Sequence, residues 1–418
     1  MDWALLPGGA ALSAFEERAL AALDADALAA DASELVRVPS VTGNERAVLE
    51  RFAGLARARG LVARTRVHDL SALRADPAYP GEEAARSELF GVTAVLRGRN
   101  ADARRLCLNG HLDVVAPGTE QWARDPWSGE LADGRLHGRG AADMKGGVAA
   151  ALHALVAVGA AGGTDGDVVL QAVASEEDGG LGTLAALRDD AAFSACLIPE
   201  PTGFAVACAQ AGALTFKGEI PGVSAHAAAR LEGVSAIDRY VAVHAALADL
   251  ERELNSSVAH PLMRALELPY PLSVGRIAAG LWSSTVPDHL VFEGRVGVPV
   301  GVTPDAIRER FEAAVRAACP EATVTWSGGR FGPGETAIDD PFTQLVMAAA
   351  SDELGRPVAP VGVPYGADMR LFCERGIPCV MFGTPGLERA HAVDEHVELS
   401  HLVSVARTLV RVIARFGF

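Results

Sequence analysis

The sequence predicts an α/β protein with a second, α+β unit inserted into it. Three observations carry that expectation. Short apolar runs at Gly91–Leu96, Leu106–Leu108, Val168–Ala174, Ala195–Ile198 and Pro378–Phe382 read as buried strands, and several are separated by helical stretches at Val148–Val158, Leu181–Arg188 and Phe342–Leu354. Strand and helix in alternation imply a sheet covered by helices on both faces. Between about Ala213 and Trp326 the order changes to strand (Leu214–Ile220), helix (Ser235–Leu254), strand (Leu272–Ala279), strand (Leu290–Val298), helix (Asp305–Ala318), strand (Ala322–Trp326). That β-α-β-β-α-β order is the ferredoxin-like one. The chain has 418 residues, room for two to three domains at about 150 residues each.

The remaining elements follow from local signals. From about Ala14 to Arg59, Ala, Leu, Glu and Arg recur at helical spacing; Pro39 interrupts them, and Ser40–Asn44 form a loop before a second helix. Residues Arg74–Arg86 are polar, contain Pro77, Pro80 and Gly81, and are expected to form a surface excursion. Val148–Val158 is apolar nearly all round, as a buried core helix is, and the run Val148–Ala161 is too short and too Ala-rich to span a bilayer.

Composition excludes several function classes. Half the residues are hydrophobic and 22% are charged, so the chain is neither disordered nor fibrous. Asp plus Glu (53) exceed Lys plus Arg (37), for a net charge of −16 that repels nucleic-acid phosphates. The six Cys are scattered without a CxxC pair, and the first residues carry no basic run. A reduced, cytoplasmic protein with neither nucleic-acid nor membrane partners is the expectation.

Metal-type side chains gather in loops that follow predicted strands. These are Asn109-Gly110-His111-Leu112-Asp113, Ser175-Glu176-Glu177-Asp178 and Ile198-Pro199-Glu200. A glycine-rich loop, Gly138-Arg139-Gly140-Ala141-Ala142-Asp143-Met144-Lys145-Gly146-Gly147, and the late segment Arg389-Ala390-His391-Ala392-Val393-Asp394-Glu395-His396 add to them. Open α/β sheets bind ligands at the carboxyl ends of their strands. Imidazole and carboxylate donors suit zinc, cobalt or manganese. Two such ions need a bridging carboxylate, for which Asp143 is placed in a loop of small residues. Glu176 and Glu177 side by side are costly unless a cation or proton separates their charges, so that one binds metal while the other serves as a base.

Taken together, with Asp125-Pro126-Trp127-Ser128-Gly129 and Asp133-Gly134-Arg135-Leu136-His137 leading into the glycine-rich loop, these segments resemble the metal-dependent amidohydrolase family of acetylornithine deacetylase, succinyl-diaminopimelate desuccinylase, aminoacylase and bacterial glutamate carboxypeptidase. The resemblance runs from about Ser33 to Leu402. It implies a phosphorylase/hydrolase-like mixed sheet flanked by helices, of the di-zinc exopeptidase type. The catalytic metal-binding domain would comprise 1–212 and 327–418, and a ferredoxin-like lid and dimerisation domain 213–326. It implies two divalent metal ions, zinc foremost and cobalt or manganese as alternatives. His111, Asp143 and Glu200 would hold one, and Asp143, Glu177 and His391 the other. Glu176 would be the general base, Asp113 would support His111, and the Asp143–Met144 peptide bond would be cis.

The resemblance extends to the inserted unit through Gly222-Val223-Ser224-Ala225-His226 and Gly233-Val234-Ser235-Ala236-Ile237. His226 stands where the family has an oxyanion-stabilising histidine, supplied by the partner subunit in its dimers. Ser235 replaces a frequent Asn. The slot of the family's carboxylate-binding arginine falls on Gly297, leaving Arg295 on the same strand face as a substitute. Arg370, in Gly366-Ala367-Asp368-Met369-Arg370, is either a second carboxylate-binding fork or an internal salt-bridge partner.

Each signal alone has a bland reading: an HxD loop by chance, a solvated Glu turn, a surface histidine for His391 or His396. Their conjunction in family order is what carries the metal site. Gly180-Leu181-Gly182-Thr183-Leu184-Ala185 mimics a dinucleotide fingerprint, but three carboxylates at the same loop would repel a pyrophosphate. The expected activity is removal of an acyl group from an N-acyl amino acid by a homodimer. A di- or carboxypeptidase acting on short peptides is the alternative, and a non-catalytic metal- or ligand-binding paralogue is the reading from a different class.

Overall fold

Three adjacent strands, Val168–Val173, Leu106–His111 and Ala195–Ile198, are buried at every residue. Strands so apolar can only lie in the middle of a sheet covered on both faces, and that is where they sit. This computed structural model describes residues 9–417. In order, the large sheet runs Val62–His68, Leu89–Leu96, Val168–Val173, Leu106–His111, Ala195–Ile198, Cys379–Met381, Val206–Gln210 and Gly334–Glu335, with Pro360–Val363 also pairing to Val206–Gln210. The centre is parallel and the flanks are antiparallel, so the sheet is mixed. The helix Gly146–Ala160 packs against Leu399–Phe416, whose residues Leu402, Val405, Ala406, Leu409, Val410 and Ile413 form its buried stripe. Gly147 lets the start of that helix touch the strand-end loop, because a Cβ there would stand 2.3 Å from the Pro199 carbonyl oxygen.

A separate four-stranded antiparallel sheet has the order Leu272–Ala279, His289–Val298, Gly212–Pro221, Thr323–Phe331. This second-third-first-fourth arrangement is the ferredoxin-like one expected from the element order. The helices Ala236–Ser256 and Pro304–Ala318 bury Tyr240, Val243, Leu247, Ile307, Phe311 and Val315 in a core distinct from that of the large sheet. Ser235, in place of the frequent Asn, caps the first of these helices by accepting from the Asp238 N–H.

The structure differs from the sequence expectations in three places. The first helical segment is three helices, Gly9–Ala21, Ala25–Val36 and Arg46–Ala58. The extra break occurs because the Asp24 side chain caps a new start through the Ala27 N–H. The Arg74–Arg86 stretch is not a free excursion. Arg86 is buried among Glu45, Glu82 and Asp178, Asp178 accepts from the backbone N–H groups of Glu83 and Ala84, and the Pro80 carbonyl receives the Arg330 N–H of the smaller sheet. Finally, Glu130–Ala132, Arg135–His137 and His396–Glu398 make a small sheet whose strands are too short to leave a periodic signal.

Asp31 ties the helical layer together. Its carboxylate meets His153 Nε2 at 2.9 Å and accepts two hydrogen bonds from the Arg59 guanidinium, both 2.9 Å. Burial alone would raise its pKa, but the bonds from His153 and Arg59 outweigh it and hold the group at about 2, below the usual 3.8. A lowered folded value gives stability that is present above the unfolded pKa and is lost as pH falls through the folded one, up to about 2 kcal/mol here. Asp31→Asn is therefore expected to lower the urea midpoint at neutral pH, and the gap from wild type should close as pH approaches 2. An equal gap at both ends of that range would refute the linkage.

Candidate metal centre

The parallel strands deliver their side chains to one place. His111 ends its strand, Glu176 and Glu177 follow the next, and Glu200 follows the third. Asp143 comes from the turn that opens the helix Gly146–Ala160, and its peptide bond to Met144 is cis. The Asp143 Oδ1 lies 3.1 Å from His111 Nε2, and its Oδ2 lies 3.7 Å from His391 Nε2. Asp143 thus turns one oxygen toward each imidazole. Glu177 stands 3.2 Å from His391 Nε2, and Glu200 stands 3.7 Å from His111 Nε2. Ligand atoms of His111, Asp143 and Glu177 all fall within 4.8 Å of one another.

Charge is strained at this spot. Burial, reinforced by neighbouring carboxylates, pushes Glu176 and Glu200 well above the usual carboxylate range. Asp143 feels the same burial, but His111 and His391 more than offset it and leave it below its ordinary value. His111 is raised well above its ordinary value: burial opposes its charged form, but Asp143, Glu200 and Asp113 more than compensate. Four acids around two imidazoles, buried at His111 and open to solvent at His391, are the donor chemistry of divalent cations such as zinc, manganese or cobalt, and the residues fit such ions.

The surrounding residues explain why the donors stay in place. The His111 Nδ1 meets the backbone carbonyl of Asp113 at 2.8 Å, whereas the Asp113 carboxylate is 3.7 Å away. The carboxylate expected to orient the imidazole instead accepts the Glu176 and Glu177 N–H groups at 3.2 and 3.1 Å, so it holds the glutamate loop. Its pKa is pushed up to about 7 by burial. Asp178, one residue beyond, is gripped by Arg86 at 2.8 Å. Two residues of the cluster, Ser175 (φ 68°) and His391 (φ 62°), adopt the left-handed backbone that side chains disfavour. Such strain persists where the surroundings impose it and gathers at functional sites.

The residues proposed from sequence for substrate do not all reach the centre. Arg370 is buried, donates to the Ala367 carbonyl at 2.9 Å and to that of Gly179, and lies 3.6 Å from Asp368. It is the internal partner, not a free fork, because its donors are spent on the backbone that carries the glutamate loop. Arg295 is exposed on the smaller sheet, 5.8 Å from the Phe331 ring centroid. Gly297 could not hold an arginine in this backbone, since a Cβ would come within 2.8 Å of the Tyr270 Cα. His226 is also exposed on the smaller unit, and its Nδ1 accepts from the Ala228 N–H, capping its own turn.

Other residues of the centre carried no signal of their own in the sequence. Glu395 is buried, accepts from the Ala142 and Asp143 N–H groups at 2.9 and 3.2 Å, and pairs with Arg139 at 2.7 Å. Its place four residues after His391 was the available clue. Lys145 is buried, donates to the Leu35 and Val38 carbonyls, and is pushed down to about 7 by desolvation. The Tyr365 hydroxyl is buried, and the carboxylates of Glu200, Asp143 and Glu176 act on it.

A mixed sheet with imidazole and carboxylate donors gathered at the carboxyl ends of its parallel strands defines a metallohydrolase. The profile of peptidase family M20/M25/M40 matches residues 107–415, and the chain belongs to that family. It is 29% identical over 402 residues to a succinyl-diaminopimelate desuccinylase of Methylobacterium radiotolerans, covering 91% of this chain and 95% of that one. The fold is shared with aminopeptidase PepT of Bacillus cereus (TM-score 0.71, 19% identity, 95% of this chain and 100% of that one). It is shared too with a dinuclear metal binding peptidase of the M20 family from Bacillus subtilis (TM-score 0.62, 17% identity, 96% and 98% covered).

Removing Glu395 would leave Arg139 buried without its partner and two loop N–H groups unpaired. Glu395→Ala should cost about 3 to 5 kcal/mol in chemical denaturation and weaken metal binding about 10- to 100-fold in a chelator-competition titration. Unchanged metal affinity would show that Asp143 is held by other means.

Proposed function

We propose that this chain is a metal-dependent amidohydrolase that removes an acyl group from an N-acyl amino acid. The observation that carries the reading is Glu176, a buried carboxylate beside a complete donor set. Burial raises its pKa toward that of a group able to take and return a proton. His111, Asp143 and Glu200 would hold one divalent ion, and Asp143, Glu177 and His391 the other, with zinc, cobalt or manganese as the candidates. Ions bound there would polarise the scissile carbonyl and make water a nucleophile at neutral pH. Glu176 accepts the proton of the attacking water and then delivers it to the departing nitrogen, so the amide breaks to a carboxylate and an amine. Asp113 keeps Glu176 aimed by holding its backbone N–H. Arg295 remains the candidate to meet a substrate carboxylate, since Arg370 is engaged internally.

Residues 213–326 are read as a lid and dimerisation unit. Leu231 and Leu281 are fully exposed on it and Trp282 is 73% exposed, a patch that a second copy would cover. Closure of the unit would bring His226 toward the partner's centre, in trans.

Metal-stripped protein is expected to be inert toward N-acyl amino acids and to recover on addition of zinc, cobalt or manganese. Glu176→Gln should lose at least about 100-fold in kcat while binding the same metal per chain by elemental analysis. Retained turnover in that variant would sink the role given to Glu176. Cleavage of dipeptides but of no N-acyl amino acid would move the assignment to a peptidase.

A further inference from the structure

Tyr365 follows the strand Pro360–Val363 and belongs to a segment pinned against the glutamate loop. The Ala367 carbonyl accepts from Gln210 Nε2 at 3.0 Å and from Arg370 Nη1 at 2.9 Å, and the same Arg370 reaches the Gly179 carbonyl. The Tyr365 ring packs on the main core, while its hydroxyl is buried and has no hydrogen-bond partner among the described residues. Leaving a buried hydroxyl unpaired is costly, and native proteins keep few of them without a reason. Beyond its burial, the charges that act on this phenol are those of Glu200, Asp143 and Glu176, so it lies close to the carboxylates of the metal centre. Burial and those carboxylates keep it protonated, which makes it a donor.

An amide under attack places negative charge on its carbonyl oxygen, and that oxygen needs donors held in advance. His226, the donor implied by family resemblance, would come in trans from a second copy, which leaves room for a further donor held within the chain. Resting on the amidohydrolase reading above, we propose that the Tyr365 hydroxyl donates a hydrogen bond to the scissile carbonyl oxygen of the substrate as that oxygen becomes negative. Tyr365 is then a catalytic residue supplied within the chain.

The test is Tyr365→Phe, which keeps the ring and removes only the hydroxyl. With the metal-loaded enzyme and an N-acyl amino acid that wild type hydrolyses, kcat should fall about 100- to 1000-fold with KM and bound metal unchanged. A phosphinate mimic of the tetrahedral state, followed by calorimetry, should lose affinity by a similar factor, while binding of the amine product stays the same. An unchanged kcat and phosphinate affinity would overturn the proposal. So would a fall in bound metal with normal kcat per loaded site, because the phenol would then be steadying Glu200 or Asp143 instead. Wild-type protein that is metal-loaded yet silent on every amide would fail the amidohydrolase reading itself, and this assignment with it.

Discussion

The concentration of buried negative charge at the strand ends is the constraint around which the rest of the molecule is arranged. Asp143, Glu176, Glu200 and Asp113 are withdrawn from water within one small region. Such a cluster resists folding unless each acid is given a donor, a cation or a proton. The protein answers with buried cations in the next layer. Arg86 faces Asp178, Arg139 faces Glu395, and Arg370 sits beside Asp368. Arg139, Arg370 and Lys145 are among the largest fully buried side chains. None of the three is available to a ligand, and all three secure the loops that carry the acids. Packing and chemistry are therefore set by the same residues.

Much of this was legible in the sequence because it depends on local pattern. The central strands were visible as continuous apolar runs, since a strand covered on both faces has no polar alternation to obscure it. The ferredoxin-like unit was visible because its order of elements is written along the chain without interruption. The donors were visible because three of their loops directly follow strands, so that adjacency in sequence predicts adjacency in space.

What was hidden depended on contacts between distant segments. Arg86 lies 92 positions from Asp178 and Arg139 lies 256 from Glu395, and neither pairing leaves a mark in composition or periodicity. Arg74–Arg86 looked like a solvated loop because polar residues with Pro and Gly usually are one, whereas its charges are turned inward. Asp113 was legible as a residue but not as a role: its carbonyl takes the imidazole and its carboxylate takes the glutamate loop. Tyr365 had no motif, and only the burial of its hydroxyl distinguishes it.

The contact between Gly297 and the Tyr270 backbone has a meaning for how this protein could change over generations. An arginine at that position would have to displace a neighbouring main chain, not merely a flexible side chain, so no single codon change installs it without rebuilding the turn beside it. The order of substitutions is thereby constrained: the Tyr270 turn must move before any larger side chain can stand at Gly297. A glycine held in place by close packing thus acts as a ratchet on inheritance, closing one route of change in the smaller unit while leaving the metal centre, built on a different sheet and a different core, untouched.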